Sequence, residues 1–300
     1  MSTTAKWVLG ILAVVVLFFG FVTLITFSWL FSEPYDESTS TSGQKVAVVE
    51  LNEPIVSSED IVRQFKKYRE NKAVKAIVFR VNSPGGGVAA SQEIYEEVKK
   101  TRNDGKPVVV SMGDVAASGG YYVSLGANKI VANPGTLTGS IGVIIQTIQV
   151  EELMKKIGID ASTFKSGKFK DIGSPFHKTT EDERKFFNQL IGNVYEQFVG
   201  VVIAERKLGK RKVLRYADGR VFSGQQALEY GFIDTLGTME DAIRIAATMG
   251  GIDGKPKLLK ERKMKTLVER LLGESISENA SLKDQFFKQS VIQYRMQIPH

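Results

Sequence analysis

Two stretches decide the fold: residues 75–87, KAIVFRVNSPGGG, and residues 107–120, PVVVSMGDVAASGG. In each, an apolar run of strand length stops at a glycine-rich turn. Strands apolar on both faces are buried on both faces, the condition of a parallel sheet covered by helices. Working outward, KVAVVEL at 45–51 repeats the strand pattern, and amphipathic helical patterns over 61–69 and 92–100 fall between the strands. Strand and helix alternate, which places the chain in the α/β class. Farther on, Thr180-Glu181-Asp182-Glu183 reads as a capping box. It opens a helix predicted over about 181–207, with Phe187, Leu190, Ile191, Val194, Phe198, Val201 and Val202 as one apolar stripe. A shorter helix over 224–230 is predicted to end at Gly231.

The flanks are unlike this centre. Residues 7–32, WVLGILAVVVLFFGFVTLITFSWLFS, contain no charged residue and exceed both a signal-peptide core and the ~20 residues that span a bilayer. A transmembrane helix is expected there, with Trp7 and Trp29 near the interfaces. Lys6 precedes the run and Glu33, Asp36 and Glu37 follow it. The positive-inside rule then puts the amino terminus in the cytoplasm and the remainder outside, a single-pass protein of the cell membrane. Residues 33–44, including STSTSG, have linker composition, so a folded domain is expected over 45–250. Residues 251–300 are charged and show no strand pattern, and are read as a helical or mobile tail.

The 300 residues contain no cysteine and two histidines, which excludes thiolate catalysis and Cys-based zinc sites and disfavours a His-rich metal centre. No cofactor is called for. Forty basic against 33 acidic residues is a mild excess that suggests no nucleic-acid partner. Both glycine turns lie at carboxyl ends of strands, where open α/β sheets place their ligands. NSPGGG lacks the Lys-Ser/Thr of a P-loop and reads equally well as a tight turn. Ser118 stands at a strand-to-helix junction ahead of Gly119-Gly120, where it is either an N-cap or a nucleophile beside free N–H groups. His177 and His300 read as solvated residues rather than its base. Lysine is the alternative, provided burial keeps the amine neutral. Lys165, Lys168 and Lys170 are all candidates, and the residues alone do not choose among them.

NSPGGG, DVAASGGYYVS, LTGSIGV, SGKFKDIGSP and GRVFSGQQALEYGFIDTLG, in that order, resemble the membrane-bound signal peptide peptidases of the SppA type. The resemblance implies a ClpP/crotonase-like fold with repeated β-β-α units after one transmembrane helix. It implies a serine endopeptidase with Ser118 as nucleophile, Lys170 as general base and Ser140 orienting the lysine, and backbone N–H groups of Gly85 and Gly119 as oxyanion hole. One copy of the motifs matches the short form, in which the lysine is expected from a neighbouring subunit of a ring-like homo-oligomer. Implied substrates are remnant signal peptides and other short or unfolded segments at the outer membrane face. Two other readings use the same fold: an acyl-CoA hydratase or isomerase, which a catalytic carboxylate in place of the Ser-Lys pair would mark, and a non-catalytic membrane scaffold.

Overall fold

The structure is a computed structural model that describes residues 7, 17–23, 44–261 and 293–295. The chain divides into two compact units, Met1–Ser42 and Gly43–His300. In the first, residue 7 and residues 17–23 are helical. Among the described residues no helix is long and apolar enough to cross a membrane, and most of the 7–32 run predicted to span one lies outside them.

The second unit begins with β1 (Lys45–Leu51), α1 (Glu59–Glu70), β2 (Val74–Ser83), β3 (Gly85–Gly87), α2 (Val88–Asn103), β4 (Val108–Ala117) and α3 (Gly119–Ser124). There follow β5 (Lys129–Ala132), β6 (Leu137–Gly139), α4 (Glu151–Lys156), α5 (Glu181–Arg206) and α6 (Lys210–Leu214). The last elements are β7 (Val221–Ser223), α7 (Gly224–Tyr230), β8 (Thr235–Leu236), α8 (Met239–Met249), β9 (Lys257–Lys260) and β10 (Gln293–Arg295). The main sheet has the order β7-β6-β4-β2-β1-β9, with β5 and β8 joined beside β4. Its pairs are parallel except β6 with β7.

The period-two rule accounts for the two cores. Ala47, Val49, Ile77, Phe79, Val108 and Val110 join the larger core, with residues of α1, α2, α3 and α5. Their neighbours Val46, Ala76, Val78 and Val109 pack on Ala242, Ile243, Ala246 and Ala247 of α8 on the other face. Both faces of the central strands are therefore covered, as their unbroken apolar sequences require. The long strand β4 changes partner along its length: Val109–Ser111 pair with β5, and Val115–Ala117 with β6. That switch delivers the carboxyl ends of β4 and β6 side by side, each followed by a serine.

Helix α5 opens on the expected capping box, with the Thr180 hydroxyl accepting from Glu183 N–H and the Glu183 carboxylate accepting from Thr180 N–H. Of its apolar stripe, Val194, Phe198 and Val202 are buried, whereas Phe187, Leu190 and Ile191 are only partly covered. The first turns of α5 thus stand clear of the core. The 251–300 segment differs from its sequence reading. Residues 257–260 form β9, an edge strand parallel to β1, and residues 293–295 form β10, antiparallel to β3. KLLK at 257–260 does not alternate polar and apolar residues, and QYR at 293–295 is too short for its alternation to mark a strand; both take strand form on a distant partner edge, and Tyr294 also stacks on Tyr122 and tilts against Phe198.

Candidate active site

Ser118 follows β4 directly, with φ 53° and ψ −115°, a left-handed conformation rare for a residue with a side chain. Neighbouring bonds hold it there: its N–H donates to the Gly139 carbonyl at 2.7 Å, and its carbonyl accepts from Tyr122 N–H at 2.8 Å. The side chain makes no capping bond to α3, which removes the N-cap explanation for a serine at this junction. Its Oγ is wholly buried and, among the described residues, is the buried side-chain oxygen or nitrogen that has no hydrogen-bond partner. A buried hydroxyl without a partner forgoes roughly 1–3 kcal/mol, so its retention calls for a reason other than folding.

Strained backbone recurs next door. Ser140, at the end of β6, has φ 49° and is 7% exposed, and its N–H donates to the Arg220 carbonyl at 2.8 Å. Pairing of Ala117 with Gly139 puts Ser118 and Ser140 at the next step of neighbouring parallel strands. Non-glycine residues with positive φ are costly and gather at functional sites. Of the three among the described residues, Ser118 and Ser140 directly follow the paired ends of β4 and β6, and the third, Lys207, caps α5.

The glycine turn meets this junction. Gly85 has φ +99°, and a Cβ on it would lie 2.6 Å from Gly119 N and 2.0 Å from the Tyr294 carbonyl oxygen. A Cβ on Gly119 would lie 3.1 Å from both Gly85 Cα and Gly86 N and 2.8 Å from Ser91 Oγ. Backbone therefore touches backbone where a side chain would separate the two. Gly119 opens α3, so its N–H belongs to the first turn and has no intrahelical acceptor. Gly85 N–H donates to Ser83 Oγ at 3.2 Å, a long bond to a side chain. Sequence reading passed over Ser83, Ser91 and Tyr294, all of which touch these glycines or lie against them.

Lys170 occupies a turn of the exposed 143–179 segment, and the structure does not bring it to Ser118 within one chain, since Ser118 Oγ has no partner. The same segment does separate the three lysines. Lys165 Nζ donates to Asp171 Oδ1 at 2.6 Å, and Lys168 is ion-paired with Asp182. Lys170 has no ion pair or side-chain hydrogen bond among the described residues and is the amine left available. The Lys165 ammonium holds the Asp171 carboxyl below the usual carboxylate range. Asp171, His177 and Glu183 bring polar atoms within 4.8 Å of one another. Lys165 and the Thr180 N–H already occupy one oxygen of each carboxylate, so the group reads as a hydrogen-bonded cluster rather than a metal centre.

Residues 100–253 match the family model described as Peptidase family S49, and residues 44–138 match that described as Clp protease. The "Putative protease slr0021" of Synechocystis sp. is 41% identical over 258 residues, which cover 84% of this chain and 92% of the relative. The "Putative signal peptide peptidase SppA" of Enterococcus faecium is 43% identical over 185 residues, 62% of this chain and 54% of the relative. "Protease 4" of Salmonella typhi is 39% identical over 228 residues, 72% of this chain but 37% of the relative. The alignments thus span nearly all of the first relative, about half of the second and little more than a third of the third.

Proposed function

The chain belongs to peptidase family S49, and from that membership we propose that it is a serine endopeptidase whose Ser118 is paired with Lys170 of a neighbouring copy. The free amine of Lys170 accepts the Ser118 proton as Oγ attacks a peptide carbonyl, and Ser140 orients that amine. N–H groups of Gly119 and Gly85 stabilise the oxyanion, Gly85 turning from the Ser83 hydroxyl to do so. The protonated lysine then gives its proton to the leaving nitrogen as the C–N bond breaks. Water, deprotonated by the same amine, cleaves the acyl ester and returns the proton to Ser118. The observation that carries this reading is the buried, unpartnered Ser118 Oγ on a strained junction against the glycine turn. A fluorophosphonate tests it: one adduct per chain at Ser118 in the assembled protein supports the nucleophile, and no adduct in protein that assembles contradicts it.

Substrate is proposed to bind by strand addition. Gly85–Gly87 present an edge that already takes an antiparallel strand, with Gln293, Tyr294 and Arg295 opposite Gly87, Gly86 and Gly85. Such an edge recognises extended backbone and leaves sequence choice to side-chain pockets, which suits short or unfolded segments such as remnant signal peptides. Residues 293–295 and a substrate then compete for one edge. A chain ended before Gln293 is expected to hydrolyse a short peptide severalfold faster than the full chain, chiefly through a lower KM; an unchanged KM would place the substrate elsewhere.

Assembly is supported by apolar side chains on the segment that carries Lys170. Ile148, Leu153, Ile157, Ile159, Phe164 and Phe176 are all exposed, Ile148 by 77% and Phe164 by 97%. Clustered exposure of this kind marks an interaction surface. Phe164→Asp changes nothing buried, so it should leave the fold intact, shift the soluble domain from oligomer to monomer on size exclusion, and lower hydrolysis at least about tenfold. The 7–32 run is proposed to hold the domain at the outer face of the cell membrane, near membrane-partitioned peptides.

A further inference from the structure

His177 has no part in the chemistry above, yet it joins the loop of the base to α5. Its Nδ1 lies 3.0 Å from the Lys178 carbonyl oxygen. Its Nε2 lies 3.3 Å from the Asp171 carbonyl oxygen, 3.4 Å from Asp171 Oδ2 and 3.8 Å from Glu183 Oε1. Among the described residues, each of these polar neighbours of the ring nitrogens is an acceptor. A neutral imidazole has a single N–H, so one nitrogen would turn its lone pair on oxygen, whereas the imidazolium satisfies both sides.

The two carboxylates belong to different elements. Asp171 follows Lys170 directly, and Glu183 is a buried residue of the first turn of α5, held by the Thr180 N–H at 2.7 Å. The surrounding cations are committed: Lys165 to Asp171 Oδ1, Lys168 to Asp182, and the Lys178 ammonium to Glu152 at 2.6 Å. From α4, Glu151 takes the Lys178 N–H at 2.9 Å. That leaves His177 as the one side chain bridging Asp171 to Glu183 among the described residues.

We propose that His177 is a positioning residue that, as imidazolium, clamps Asp171 to Glu183 and so fixes the loop carrying Lys170, the clamp opening when the ring loses its proton. The proposal rests on Lys170 being the base. The Lys178 carbonyl first, and then the Asp171 carbonyl and the two carboxylates, hold the imidazolium beyond its ordinary range. A raised folded-state value means that the clamp is complete in acid, below the ordinary imidazole range, and is lost as pH rises through His177's own titration.

Arginine supplies the same cation without a titration, and glutamine supplies none. The kcat/KM ratio of His177→Arg to wild type should climb about three- to fivefold between about pH 5.5 and about pH 9.5, the effect of a partly exposed charge pair. Taking the ratio cancels the protonation of the base itself. His177→Gln should fall below wild type in acid and match it in alkali. A second readout is independent of catalysis: hydrogen exchange over residues 165–178 in a Ser118→Ala background, corrected for intrinsic rates. Exchange there should quicken with pH in the chain with His177, stay slow with His177→Arg, and be fast throughout with His177→Gln. Flat ratios together with pH-independent exchange overturn the clamp. So does activity that EDTA removes and zinc restores, which would put a metal on Nε2. Full activity of Lys170→Ala would overturn the base instead, while the exchange data would still judge the clamp.

Discussion

Replacing Ser118 by alanine is expected to reduce peptide hydrolysis by at least about 10⁴-fold, the scale on which serine peptidases lose rate with their nucleophile. Thermal unfolding should move little. Oγ has no hydrogen-bond partner among the described residues, so its removal leaves none of them unsatisfied. The bonds that fix the junction, Ser118 N–H to Gly139 and Tyr122 N–H to the Ser118 carbonyl, are backbone bonds that alanine keeps. Alanine meets the positive φ at a cost close to that of serine. Stability should therefore stay within about 1 kcal/mol of wild type or rise slightly, as a buried unpaired hydroxyl disappears. A large drop in melting temperature would mean that the hydroxyl is structural; activity near wild type would remove it from the chemistry.

Lys170→Ala is the second large effect. Lys170 is exposed and, among the described residues, unpaired, so alanine there should leave fold and assembly unchanged while activity falls on the scale of Ser118→Ala. Lys165→Ala and Lys168→Ala serve as controls. Each breaks one solvent-screened ion pair and should retain most of the activity. Should Lys165→Ala silence the enzyme and Lys170→Ala spare it, the base has been misassigned.

The central part of this arrangement is legible in sequence because its causes are local. KVAVVEL, KAIVFRV and PVVVSM, alternating with helical patterns, read as strands covered on both faces, and Thr180 with Glu183 announces the start of α5 wherever that helix packs. Ser118 is visible as a serine at a strand end before two glycines. What periodicity cannot show is pairing at a distance. KLLK at 257–260 becomes a strand because the edge of β1 is open beside it, and Tyr294 because Tyr122 and Phe198 form an aromatic seat. Likewise, three lysines within six residues look alike until the loop folds and carboxylates claim two of them. His177 reads as a solvated residue because Asp171 and Glu183 reach it only when the loop returns to α5.

The claim on which the rest depends is that each dyad joins two chains. It is tested most directly by mixing Ser118→Ala and Lys170→Ala proteins in equal amounts, dissociating and reassembling them, and measuring peptide hydrolysis. Neither parent should be active. In head-to-tail assembly, random neighbours place an intact Ser118 beside an intact Lys170 in roughly a quarter of the sites, so roughly a quarter of wild-type activity should return. No recovery in mixed oligomers shown to contain both chains would contradict the shared dyad.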